Sequence, residues 1–198
     1  MNTKRRRRVA LPKPEQVEAE LMRVKRRSGG RRVFRDFVFL LVIIAAITML
    51  ISVLLMPVMR IYGDSMAPTL NAGDVVLAIK NARVQTGDVV GVYYGSKLLV
   101  KRVIATENQW VDMDGTGNVY VDGVLLEEPY VTEKSLGECD IDLPYQVPEG
   151  TVFVMGDHRI ESIDSRSSVI GCIEKGDILG KALVRVWPIK AFGRIKSD

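Results

Sequence analysis

The stretch that decides the fold is Val75–Ile104, VVLAIKNARVQTGDVVGVYYGSKLLVKRVI. Three runs rich in Val, Ile, Leu and Tyr are separated by Asn81 and by Thr86-Gly87-Asp88, and Gly95 breaks the last pair. Such runs, four to eight residues long and bounded by turn formers, read as strands. The pattern continues outward. Strands are expected at Val75–Ile79, Asp88–Tyr94, Leu98–Ile104, Trp110–Met113, Asn118–Val121, Thr151–Met155 and Ile178–Trp187. Asn71-Ala72-Gly73-Asp74 and Asp122-Gly123 add turn signals. No helical apolar period of comparable quality occurs in this region, so residues 60–198 read as mainly β, large enough for a core of their own.

Upstream lies FVFLLVIIAAITMLISVLLMPVM, Phe37–Met59, with no charged residue. A helix needs about 20 apolar residues to cross about 30 Å of hydrocarbon. A buried soluble helix and a cleavable signal peptide are the rival readings. The basic region ahead is long for a signal peptide, and no A-x-A site closes the run. The expectation is an uncleaved single anchor. The chain then divides into a basic tail (1–36), an anchor (37–59) and a β-rich domain (60–198).

Charge sets the expected orientation. The 198 residues carry a net charge of +4, but Met1–Asp36 alone hold 13 Lys/Arg against 4 Asp/Glu, and the remainder is net acidic. A uniformly basic nucleic-acid binder is thereby excluded. Positive flanks stay cytoplasmic, so the tail is expected inside and residues 60–198 outside the plasma membrane. Lys4–Arg8 is read as a topology signal attracted to anionic lipid, and Ser28-Gly29-Gly30 as a flexible joint. One histidine, His158, and two distant cysteines make a structural zinc site a poor fit. Whether Cys139 and Cys172 pair is open.

Six residues separate Met59 from Ser65, at most about 20 Å of chain. Ser65 is thus expected near the bilayer, in Gly63-Asp64-Ser65-Met66-Ala67-Pro68. A serine hydroxyl needs a base to act as a nucleophile. His158 is one candidate, with Asp164 behind it. A lysine is the other, provided that burial lowers its pKa from about 10.4. Lys101 fits: on a strand it shares a face with Leu99 and Val103, while Arg102 points to the other. An ordinary turn serine and a solvated lysine are the plain alternatives. Met66 either lines the site or belongs to the core.

These residues together resemble the type I bacterial signal peptidases, in a Gram-positive-like form. Gly63–Leu70 (GDSMAPTL) resembles the nucleophile box, Lys101–Ile104 the lysine box, and Gly156–Arg166 (GDHRIESIDSR) the late box, with His158 where asparagine is usual. Val121–Val124 and Glu128-Pro129-Tyr130 resemble a connecting stretch. The resemblance implies an extracytoplasmic domain of coiled antiparallel sheets, without metal or cofactor. It implies a membrane-bound serine endopeptidase that removes signal peptides through an acyl-enzyme. Ser65 would be the nucleophile, Lys101 the general base, Ser162 the residue that orients the amine, and Asp164 with Arg166 a structural pair behind it. The oxyanion hole would rest on the Ser65 N–H, since the position two residues before it is Gly63. Implied partners are signal peptides of exported preproteins, membrane lipid and the secretion machinery, and no nucleic acid. Alternatives are a relative specialised for pilin or surface-protein assembly, a self-cleaving repressor, or a non-enzymatic anchored β-domain. The acidic spacer Tyr130–Tyr145 has no assigned role.

Overall fold

The computed structural model describes residues 13–95 and 97–197, and it divides into two compact units, up to Ile51 and from Ser52 onward.

The first unit is most of one helix, α1 (Pro14–Leu55). Proline suits its first turn, where the missing N–H has no partner to lose. At 1.5 Å per residue the helix is about 63 Å long. Its segment Arg32–Leu50 is long and apolar enough to cross a membrane, and side chains such as Phe39, Leu40 and Val42 are exposed. Ser28-Gly29-Gly30 does not interrupt the helix, contrary to the expected joint; glycine costs a helix about 1 kcal/mol per residue, which its neighbours offset here. The basic cluster Lys4–Arg8 lies outside the described residues.

The apolar run does not stay helical to its end. Pro57 disfavours helical backbone at Met56, α1 closes at Leu55, and Val58–Arg60 forms strand β1. Met59, assigned to the anchor by hydropathy alone, is fully buried in the core of the second unit.

That unit is all antiparallel β. In chain order its strands are β1, β2 (Val75–Ile79), β3 (Val89–Tyr94), β4 (Lys97–Thr106), β5 (Trp110–Met113), β6 (Val119–Val121), β7 (Val124–Leu125), β8 (Tyr145–Gln146), β9 (Thr151–Met155), β10 (Ile173–Glu174), β11 (Ile178–Trp187) and β12 (Gly193–Arg194). The larger sheet runs β1-β2-β11-β3-β4-β9-β10, with β12 also paired to β11; the smaller runs β7-β6-β5-β8. All seven expected strands form, four of them over the expected residues. Five were not anticipated: β1, β7, β8, β10 and β12. Four of these are two residues long, too short to show a period of two; β1 was hidden inside the apolar run. Asp122 and Gly123 both take positive φ (52° and 78°) in the turn from β6 to β7, as a two-residue hairpin of the type I′ kind requires.

Alternation along β3 and β4 sends side chains to two cores. Val89 and Val100 join Met59, Met66, Leu70 and Val76 on one face; Val90, Val92 and Val103 join Val152, Val154 and Ile173 on the other. A third cluster, built on Ile104, Phe153 and Met155 with Val111, Met113 and Val119, joins the two sheets. Cys139 and Cys172 pack against this third cluster as free thiols, and burial raises the Cys172 pKa.

Candidate active site

Lys101 lies opposite Val90 in the β3–β4 ladder, on the face shared with Leu99 and Val103, which belong to the cluster of Val90, Val92 and Val154. Only 3% of it is exposed. Burial lowers its pKa from 10.5 to about 8; Asp164 opposes that shift and Arg166 reinforces it. The amine donates to Ser162 Oγ at 2.8 Å, and Ser162 Oγ donates to Asp164 Oδ2 at 2.6 Å. Because the serine proton is committed to the carboxylate, Ser162 can only accept from the lysine. One amine N–H is thereby fixed on Ser162, and the lone pair of the neutral amine is turned elsewhere.

Asp164 is held from three sides. Arg166 donates through Nε to Oδ1 at 2.8 Å and through Nη2 to Oδ2 at 2.9 Å, and Gly156 N–H donates to Oδ2 at 3.0 Å. Burial alone would raise this carboxyl's pKa; the guanidinium, the Ser162 hydroxyl and the Gly156 amide reverse that, and the net direction is down. Arg166 in turn donates to the carbonyls of Leu136 and Arg159. The Tyr130–Tyr145 spacer, unread in the sequence, thus supplies a carbonyl that caps the buried guanidinium, and its Leu136, Ile141 and Leu143 pack on the third core.

Ser65 reaches this chain through its backbone. Its carbonyl accepts from His158 N–H at 3.1 Å. A Cβ placed on Gly156 would collide with both that carbonyl and Ser162 Oγ, so Gly156 lets the serine turn and the Ser162 loop meet. Among the described residues the Ser65 hydroxyl makes no hydrogen bond to the Lys101 amine, and the Ser65 N–H donates to no protein group. The structure therefore brings Lys101, Ser162, Asp164 and Arg166 into one hydrogen-bonded chain and sets the Ser65 main chain against it. Met66 is a core residue, buried with Met59 and Leu70. His158 makes no hydrogen bond or ion pair with Asp164 among the described residues: its Nδ1 lies 3.4 Å from Glu161 Oε2.

Sequence reasoning missed a second buried network. Arg102, on the opposite face from Lys101, makes a two-pronged pair with Asp157 (both contacts 2.8 Å) and lies 3.8 Å over the Tyr130 ring. Arg159 pairs with Glu128. The available signal was the bare repetition of charges in β-rich sequence: Arg102 inside an apolar run, and Asp157 and Arg159 around His158. Among the described residues no group of three or more acidic, Cys or His side chains is arranged to hold a metal ion.

A family model described as "Signal peptidase, peptidase S26" matches residues 34–187. A protein of Synechocystis sp. named "Probable signal peptidase I-1" is 37% identical over 150 residues, 68% of this chain and 72% of that one. Signal peptidase I of Bacillus licheniformis is 32% identical over 167 residues, 77% of this chain and 88% of the other. A solved signal peptidase I from Enterococcus faecalis aligns with a TM-score of 0.42 and 24% identity, over 50% of this chain and 97% of its own. With the family model covering more than half of its residues, the chain belongs to the signal peptidase family, peptidase S26.

Proposed function

We propose that this peptidase removes signal peptides from preproteins with Ser65 as nucleophile and Lys101 as general base. The observation that carries the assignment is the Lys101 amine, dry, shifted to about 8 and tied to Ser162. At pH 7 roughly one such amine in ten is neutral, against fewer than one in a thousand for an ordinary lysine. The neutral amine takes the Ser65 proton as the oxygen attacks the scissile carbonyl. The unpartnered Ser65 N–H receives the oxyanion, a contribution of about 3 kcal/mol for a well-placed donor. The lysine ammonium then protonates the leaving amine, and the regenerated amine activates the water that opens the acyl-enzyme. Ser162, Asp164 and Arg166 position the amine.

Substrate enters as an extended strand. Strand β9 pairs with β4 only from Arg102 onward, so Lys97–Lys101 has a partner on the β3 side alone. An open edge beside the base suits β-augmentation by a peptide. In the membrane, the charge rule sets residues 1–36 in the cytoplasm, the apolar helix across the bilayer and residues 60–198 outside. Exposed Trp187, Ile189 and Phe192 beside Lys190 fit contact with lipid. A place beside the secretion machinery follows from the substrate, which is exported as it is cut.

Ser65→Ala and Lys101→Ala should each lower cleavage of a preprotein in detergent or liposomes by at least a thousandfold. Near-normal activity of Lys101→Ala would overturn the dyad.

A further inference from the structure

A cavity of about 400 Å³ is lined by Pro68, Thr69, Tyr130, Arg102, Arg185, Arg194 and Lys196 among others, with no carboxylate in its wall. Two of its four cations are neutralised from outside: Arg102 by Asp157, and Arg185 by Asp74 at 2.9 Å. The other two, Arg194 and Lys196, form no ion pair and no side-chain hydrogen bond among the described residues; their side chains are exposed. Arg185 Nη2 is likewise without a hydrogen-bond partner there. Tyr130 contributes its ring rather than a free donor, because its hydroxyl donates to Glu128 Oε1 at 3.3 Å. The wall therefore carries two cations that no carboxylate among the described residues neutralises, and a concave space lined by cations favours an anion more strongly than the same charges on an open surface.

The surroundings indicate which anion. The last two cations follow directly after the turn that exposes Ile189 and Phe192, and Trp187 is two residues from Arg185 on β11. A cationic cavity whose lining residues are close neighbours in the chain of exposed aromatic and aliphatic side chains matches a phosphate joined to an acyl-bearing glycerol. We propose that this cavity binds the phosphate of an anionic phospholipid headgroup through Arg194, Lys196 and Arg185. The site itself stands on the cavity and its charges; only the lipid source of the phosphate rests on the lipid contact proposed above.

The same arginines hold the nucleophile turn. Arg185 Nη1 donates to the Thr69 carbonyl at 3.2 Å, and Arg102 Nη2 donates to Thr69 Oγ1 at 3.4 Å. Thr69 is four residues beyond Ser65, in a turn closed by Leu70 N–H donating to the Met66 carbonyl. A phosphate drawing on Arg185 thus bears on the segment that carries the serine.

The test is calorimetric titration of the full chain in a non-ionic detergent with two probes, dihexanoyl-phosphatidylglycerol and inorganic phosphate. Saturable binding of the lipid probe is expected, weakened at least tenfold by Arg194→Gln with Lys196→Gln and unchanged by Arg83→Gln, which removes an exposed charge outside the cavity. Binding of inorganic phosphate as well would mean that the phosphate group suffices, and supports the site. Binding of inorganic phosphate without the lipid would overturn the lipid source. Absence of binding by either probe, or an equal loss in Arg83→Gln, would overturn the site. Titration involves no turnover, so its result does not depend on the Ser65–Lys101 assignment.

Discussion

Lys101 is held in its depressed state by what surrounds it rather than by an acidic or basic neighbour. Desolvation is the largest influence on its pKa, and the Asp164 charge only partly offsets it. A lysine whose pKa falls from 10.5 unfolded to about 8 folded destabilises the fold by about 3 kcal/mol below pH 8, at 1.36 kcal/mol per unit. Between those two values the unfolded chain binds more protons, so stability rises with pH across that window and levels off above it. Lys101→Met, which removes the charge and keeps the apolar stem, should unfold at higher denaturant concentration at pH 6–7, and the gap from wild type should narrow from pH 8 to 10.5. Parallel denaturation midpoints across that range would show that the amine is not buried as described. With Lys101 as the base proposed above, kcat/KM should climb through about pH 8 and level off, rather than climb toward pH 10.5.

Among elements, the Gly156–Arg166 loop does the positioning. Ser162→Ala removes the acceptor that fixes the amine; a hydrogen bond to a charged group is worth about 1.5–3 kcal/mol, so a 10- to 100-fold loss in kcat with little change in KM is expected. Asp164→Ala leaves Arg166 buried without its partner and should cost about 3–5 kcal/mol of stability, read as a lowered denaturation midpoint. Gly156→Ala forces the Ser65 carbonyl and Ser162 apart, and both activity and midpoint should drop. Much at this scale was legible in sequence. The alternation around Lys101 placed it on an apolar face, and the long strands, each with several turns of the period-two pattern, appeared where they form. The two-residue strands carried too few residues for a period. The end of the anchor was misread because hydropathy does not distinguish a lipid-facing Met from a core Met; Pro57 was the better signal. The buried Arg102–Asp157 and Arg159–Glu128 pairs were illegible because single charges in sequence say nothing of the partner that desolvates with them.

For the molecule as a whole, the β unit contains every strand and all three cores, while α1 up to Ile51 forms a unit of its own. A chain beginning at Met56 retains β1 and its pairing to β2. It should therefore unfold cooperatively with a midpoint close to that of the full chain, and it should cleave a soluble peptide while losing activity on a preprotein held in liposomes. A fragment lacking Met59 as well should be unstable, because that side chain fills the first core.

The most direct test is a titration of the Lys101 amine itself, by the carbon shift of its ε-methylene in protein labelled at lysine. A midpoint near pH 8, abolished by Lys101→Met, is the result the account predicts. A midpoint near 10.5 would mean an amine charged at neutral pH and unable to take the Ser65 proton.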